Sequence, residues 1–141
     1  MREPAMRTLI ALPLLLMLAG VSVGACGGGL RTPESVLEEQ LREFHGHVRW
    51  GRIGEAAKFV SDDHREVFLG IHDELGGDFE VTEYEIESVV VDRGDDTAVV
   101  QVWMQWFRLP STRVDDATYR EIWTYNTQAR AWQLTERERQ E

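Results

Sequence analysis

From residue 33 onward the hydrophobic positions change period once. Leu37, Leu41, Phe44 and Val48 recur at steps of four, three and four, with Glu38, Glu39, Arg42 and Glu43 mostly off their line. That spacing predicts an amphipathic helix with one apolar stripe. Thr32-Pro33-Glu34 opens it: a hydroxyl at the N-cap, proline at the first helical position and an acid at the positive end of the dipole. Gly51 and Gly54 interrupt, and Ala56, Ala57, Phe59 and Val60 predict a short second helix. Ser61-Asp62-Asp63 caps a third helical stretch carrying Val67, Phe68 and Ile71, which ends at Gly76-Gly77.

The period then falls to two. Tyr84, Ile86, Ser88 and Val90 alternate with Glu83, Glu85, Glu87 and Val89, which reads as a strand with an acidic face. Arg93-Gly94-Asp95-Asp96 is a turn, and Ala98, Val100, Val102, Met104 and Trp106 form the inner face of a longer strand ending at Leu109-Pro110. A third strand is predicted near Ala117 to Tyr125. A turn from Asn126 to Ala129 then leads to a last strand with Trp132 and Leu134, and residues 137–141 read as a solvated tail. The short connections require antiparallel pairing, because parallel strands need long crossovers. Helices first and an antiparallel meander after predict an α+β domain, with helices packed on one face of a curved sheet over residues 33–136.

Ahead of that domain lies a different kind of sequence. Arg2 and Arg7 precede an apolar run from Leu9 to Leu18, and small residues follow up to Gly24-Ala25-Cys26, the chain's single cysteine. This order is that of an export signal, and the apolar run is short for a helix that must cross about 30 Å of hydrocarbon. Gly24-Ala25-Cys26 resembles the lipobox of bacterial lipoproteins. That resemblance implies cleavage after residue 25, acylation of Cys26, and a tether over residues 26–32. The expected location is the cell envelope, with the protein lipid-anchored. Gly27 after the cysteine favours the outer membrane, facing the periplasm. Acylation also accounts for an unpaired thiol in an oxidising compartment, which otherwise needs explaining.

Charge narrows the partners. The formal net charge is −10, from 25 acidic against 15 basic residues. A chain this acidic is repelled by phosphate backbones and anionic headgroups, which argues against nucleic acid and against electrostatic membrane binding. Its 43% hydrophobic content sets it apart from a disordered acidic tail.

The domain resembles the nuclear-transport-factor-2-like superfamily, a cone-shaped α+β fold. The likeness spans residues 33–135. It rests on the helix around Leu41 and Phe44, the step Gly51-Arg52-Ile53-Gly54-Glu55-Ala56-Ala57, the strands from Tyr84 to Val102, and the closing Trp123 with Ala131-Trp132-Gln133-Leu134. Small bacterial lipoproteins built on this fold look most similar. The superfamily includes ketosteroid isomerases and polyketide cyclases, whose pocket lies between concave sheet and helices, and that implies a general base on the sheet. Here the candidate is Glu121, which shares strand parity with Tyr119 and Trp123. A carboxylate flanked by aromatics in a pocket would have a raised pKa. Against this, an exposed carboxylate is the usual case, which would put Glu121 in solvent and Ile122 in the core. The isomerase pattern also needs a tyrosine on the first helices, and this chain has none there.

Other candidates divide quickly. His45 and His47 project to nearly opposite sides of their helix and read as exposed or capping. His64 and His72 share a face but lack the further ligands of a metal site. Asp92, Asp95 and Asp96 surround a turn too short for an EF-hand. No metal or cofactor is implied. Trp103 and Phe107 point away from Trp106 and form either a covered pair or a contact patch, and superfamily members often dimerise through this sheet. The leading expectation is a non-enzymatic binding or interaction module that takes a small apolar ligand or an envelope protein through the pocket or the sheet. The alternatives are an isomerase- or cyclase-like enzyme with Glu121 as base, and a structural accessory subunit.

Overall fold

The computed structural model describes residues 31–141; the leader, Cys26 and the first tether residues lie outside the described residues. The first helix, α1 (Pro33–Arg49), begins as its sequence predicts: Thr32 is the N-cap and its hydroxyl accepts from the Ser35 N–H at 3.2 Å. A single turn, α2 (Ile53–Ala56), runs into a 3-10 turn over Ala57–Phe59, and α3 (Asp62–Leu75) follows. Gly76 stops α3 with φ +72°, a left-handed conformation in which a side chain would be strained. Among the described residues no helix is long and apolar enough to cross a membrane.

Four strands form one antiparallel meander in sequence order: β1 (Phe79–Asp92), β2 (Thr97–Arg108), β3 (Val114–Asn126) and β4 (Ala131–Arg139). The architecture is α+β, with helices on one face of the sheet. Its hairpins are closed by the side chains that favour such turns. Asp92 Oδ1 accepts from the Gly94 N–H at 2.8 Å, and Asn126 Oδ1 accepts from the Gln128 and Ala129 N–H groups at 3.0 Å.

One core joins the layers. Leu37, Leu41, Phe44 and Val48, the predicted stripe of α1, pack with Val100, Val102, Met104, Trp123, Trp132 and Leu134. Both ends of β4's inner segment are pinned to the helices. Gln40 exchanges two hydrogen bonds with the Trp132 backbone (2.7 and 3.2 Å), and the Trp132 indole donates to Pro33 O at 2.8 Å. Leu134 O accepts from the Ser61 N–H at 2.9 Å, and Leu134 forms a parallel bridge with Val60.

Three bulges break the simple alternation, and each reverses which face the following residues occupy. In β1, register slips fall between Val81 and Glu83 and between Ile86 and Ser88. The second corrects the expected parity: Val91, opposite Ala98, returns to the core side, while Val90 stands 64% exposed. In β4 the slip falls at Thr135, whose hydroxyl donates to Ile122 O at 3.1 Å. Beyond it Arg137 lies opposite Glu121. Residues 137–139 are therefore strand, correcting the expected solvated tail over 137–141.

Leu134 is 2% exposed and sits where β4 meets the second and third helices. Leu134→Ala should cost about 2–5 kcal/mol, the usual range for truncating a large core residue. Urea unfolding measures this, and a midpoint matching wild type would contradict the packing described.

Candidate functional site

Glu121 is fully buried and points to the helix side of the sheet, while Ile122 is half-buried on the other face. Solvent exposure, the commoner expectation for this carboxylate, does not hold. The side chain is enclosed by donors. His45 Nε2 lies 3.1 Å from Oε1, the Trp123 indole N–H donates to Oε2 at 3.0 Å, and Arg137 Nε stands 3.3 Å from Oε1.

His45 reaches Glu121 because it lies four residues after Leu41 and eight after Leu37, at the edge of the buried stripe. Its ring is fully buried and stacks on Tyr84 at 5.4 Å. The earlier expectation of an exposed His45 is corrected. Its other ring nitrogen, Nδ1, is 2.7 Å from Leu41 O. A carbonyl only accepts, so Nδ1 carries a hydrogen and the proton of interest is the one shared between Nε2 and Oε1.

Burial alone would raise the Glu121 carboxyl. The charge and hydrogen bond of His45, the charge of Arg137 and the Trp123 indole outweigh it and hold the carboxyl below its ordinary range. A poised general base would show the opposite shift. Glu121 is therefore the ionised acid of this cluster.

Beside this cluster, between α3 and the sheet, lies a cavity of about 150 Å³. Phe68 and Leu75 of α3, Phe79 and Val81 of β1, Met104 and Trp106 of β2, and Tyr119 of β3 supply its apolar wall. Val67 and Ile71 also line it while remaining 58% and 53% exposed. Of the three residues assigned to the pocket from sequence, Tyr119 lines the cavity. Glu121 and Trp123 lie behind its wall, Trp123 packed edge-on against Phe44 at 5.4 Å.

Arg137 joins the two regions. It touches Glu121 behind the wall, lies 4.3 Å from the centre of the Tyr119 ring, and also lines the cavity. Counting parity from Leu134 points Arg137 to the wrong face; the bulge at Thr135 is what turns it inward. His64 and His72 share the cavity-facing side of α3, and His72 Nδ1 lies 2.9 Å from Phe68 O. Burial pushes His72 below its ordinary value, and the Arg137 charge adds to that against the Phe68 carbonyl and Asp73. Among the described residues no group of three His, Cys, Asp or Glu side chains is placed to hold a metal ion.

Trp103 and Phe107 occupy the sheet face away from the helices, both half-buried, and the Trp103 indole donates to Asp116 Oδ2 at 3.2 Å. They sit four residues apart along β2, flanked by Glu85 and Glu80 of β1 on one side and by Thr118 and Val114 of β3 on the other.

Two solved structures share this architecture. A ketosteroid isomerase-like protein from Erwinia carotovora atroseptica SCRI1043 aligns with a TM-score of 0.61 at 15% identity, over 77% of this chain and 95% of its own. The fold is nuclear-transport-factor-2-like. The intermembrane space region of the chloroplast protein ARC6 aligns with a TM-score of 0.54 at 14% identity, over 78% of this chain and 98% of its own. No protein-family model matches the chain, and no curated protein does. Within this nuclear-transport-factor-2-like cone, the cavity is the space between concave sheet and helices. The carboxylate on the sheet is engaged by His45 of α1.

Because the folded Glu121 carboxyl is held low, the unfolded chain binds more protons between the two values, so stability rises with pH through that window. The contribution is complete above the ordinary carboxylate range and is lost as pH falls through the lowered folded value. Glu121→Leu should cost about 3–5 kcal/mol near neutral pH, since it leaves Arg137, His45 and the Trp123 indole without the buried acid they face. It should also flatten the acid limb of a urea-midpoint profile against pH. An acid limb as steep as wild type would contradict the assignment.

Proposed function

We propose that this chain is a lipid-anchored protein of the cell envelope whose cone cavity binds a small apolar molecule without transforming it. The observation that carries the binding reading is the cavity of about 150 Å³, walled by Phe68, Phe79, Trp106 and Tyr119. Cavities near this size and lining admit a molecule about as large as benzene. The non-enzymatic reading follows from Glu121. All of its close donors belong to the protein, its carboxyl is held ionised, and it does not line the cavity, so it is a poor base for anything bound there.

The anchor rests on the leader and on Gly24-Ala25-Cys26. Thr32 caps the first helix directly after the tether, so an acylated Cys26 would hold the domain close to the bilayer. Two or more acyl chains make such attachment effectively permanent, whereas one gives marginal binding.

Each half has its own test. Cys26→Ser should leave uncleaved precursor in place of detergent-phase mature protein; correctly cut, soluble protein in equal yield would contradict the anchor. Toluene should shift the methyl NMR resonances of Val60, Val81 and Leu134, and Val81→Phe, which fills the space, should abolish the shift. Methyl groups unmoved at saturating toluene would contradict the cavity.

A further inference from the structure

The Arg137 guanidinium is poorly satisfied for a group so enclosed. Its side chain is 17% exposed, and its Nε, although 3.3 Å from Glu121 Oε1, is not aimed at that oxygen and makes no hydrogen bond among the described residues. Its one hydrogen bond there goes to the Met104 thioether, a weak acceptor. Glu121 is also bound by the Trp123 indole and by His45, whose other ring nitrogen gives its hydrogen to Leu41 O; wherever the one shared proton sits, the His45–Glu121 pair is neutral as a whole. The cluster therefore carries an uncompensated positive charge on the cavity wall. Buried cations without partners are costly, and the same charge offers a strong contact to an entering anion.

We propose that the cavity takes a small amphiphile, one apolar ring or a short chain bearing a single carboxylate, with the carboxylate on the Arg137 guanidinium. This rests on the cavity being the binding site. The apolar body lies against Phe68, Trp106 and Tyr119, and the volume limits it to about one ring. Across the space, His64 of α3 can donate to the same anion. The His72 Nδ1 hydrogen is already taken by Phe68 O. Glu136, the acid of the wall, has a side chain 46% exposed and lies 4.0 Å from Arg120. A cationic ligand would meet Arg137 unfavourably, and a neutral one would leave its charge uncompensated.

The deciding experiment titrates the full chain in lipid nanodiscs with benzoate, its neutral isostere benzyl alcohol, and acetate. The methyl resonances of Val60 and Leu134 report occupancy, and the Arg137 Nε–H resonance reports the headgroup contact. Benzoate should bind at least about tenfold more tightly than benzyl alcohol, the margin expected for a charge-assisted hydrogen bond, and should shift the Arg137 resonance. Acetate, lacking the apolar body, should bind at least about tenfold more weakly than benzoate. Arg137→Met should erase the preference for benzoate while benzyl alcohol still enters; if that variant does not fold, the wild-type ratio decides alone. Benzyl alcohol binding as tightly as benzoate would overturn the carboxylate assignment and leave the cavity reading standing. Failure of both to bind would overturn both.

Discussion

A carboxylate without access to water must be met by donors or it destabilises the fold, and meeting Glu121 draws together three elements of this chain. α1 supplies His45, β3 supplies Trp123 from two residues along the same strand, and β4 supplies Arg137. The contact from His45 is long-range in sequence, 76 residues from Glu121. The ion cluster therefore fixes how the helix layer sits on the sheet at the point where purely apolar contacts would tolerate sliding. Such clusters add little net stability over a well-packed apolar core, but losing one member is costly, which gives the arrangement one preferred geometry.

That geometry also sets the chemistry of the cavity. With Glu121 committed to its donors, the space beside it presents aromatic and aliphatic walls and one guanidinium. The nuclear-transport-factor-2-like cone leaves room between α3 and the sheet because Phe68 is the buried residue of α3, while Val67 and Ile71 stay at the opening. α1 is tied to the sheet through His45 and Glu121, whereas α3 buries Phe68 and leaves the cavity beside it.

The elements were legible because their signals are local. The α1 stripe, the Thr32 cap, the Gly76 stop and the Asp92 turn each follow from a few neighbouring residues, and short connections imposed the meander. The site was legible only in part. Shared parity correctly brought Tyr119, Glu121 and Trp123 to one face, but parity does not say which residues of that face reach a cavity and which are sealed behind it. His45 was hidden because a lone histidine at the edge of an apolar stripe usually points to water; its four-residue spacing from Leu41 was the signal to follow. Arg137 was hidden by the bulge at Thr135, a backbone event that reverses alternation and that no pattern of period two anticipates.

The central claim is that His45 and Glu121 form one energetic unit joining helix to sheet. A double-mutant cycle with His45→Ala, Glu121→Ala and the combined variant, read by urea unfolding near neutral pH, measures that unit without reference to any ligand. The account predicts strong non-additivity, with a coupling of about 2 kcal/mol or more. Additive effects, with a coupling within about 0.5 kcal/mol of zero, would contradict it.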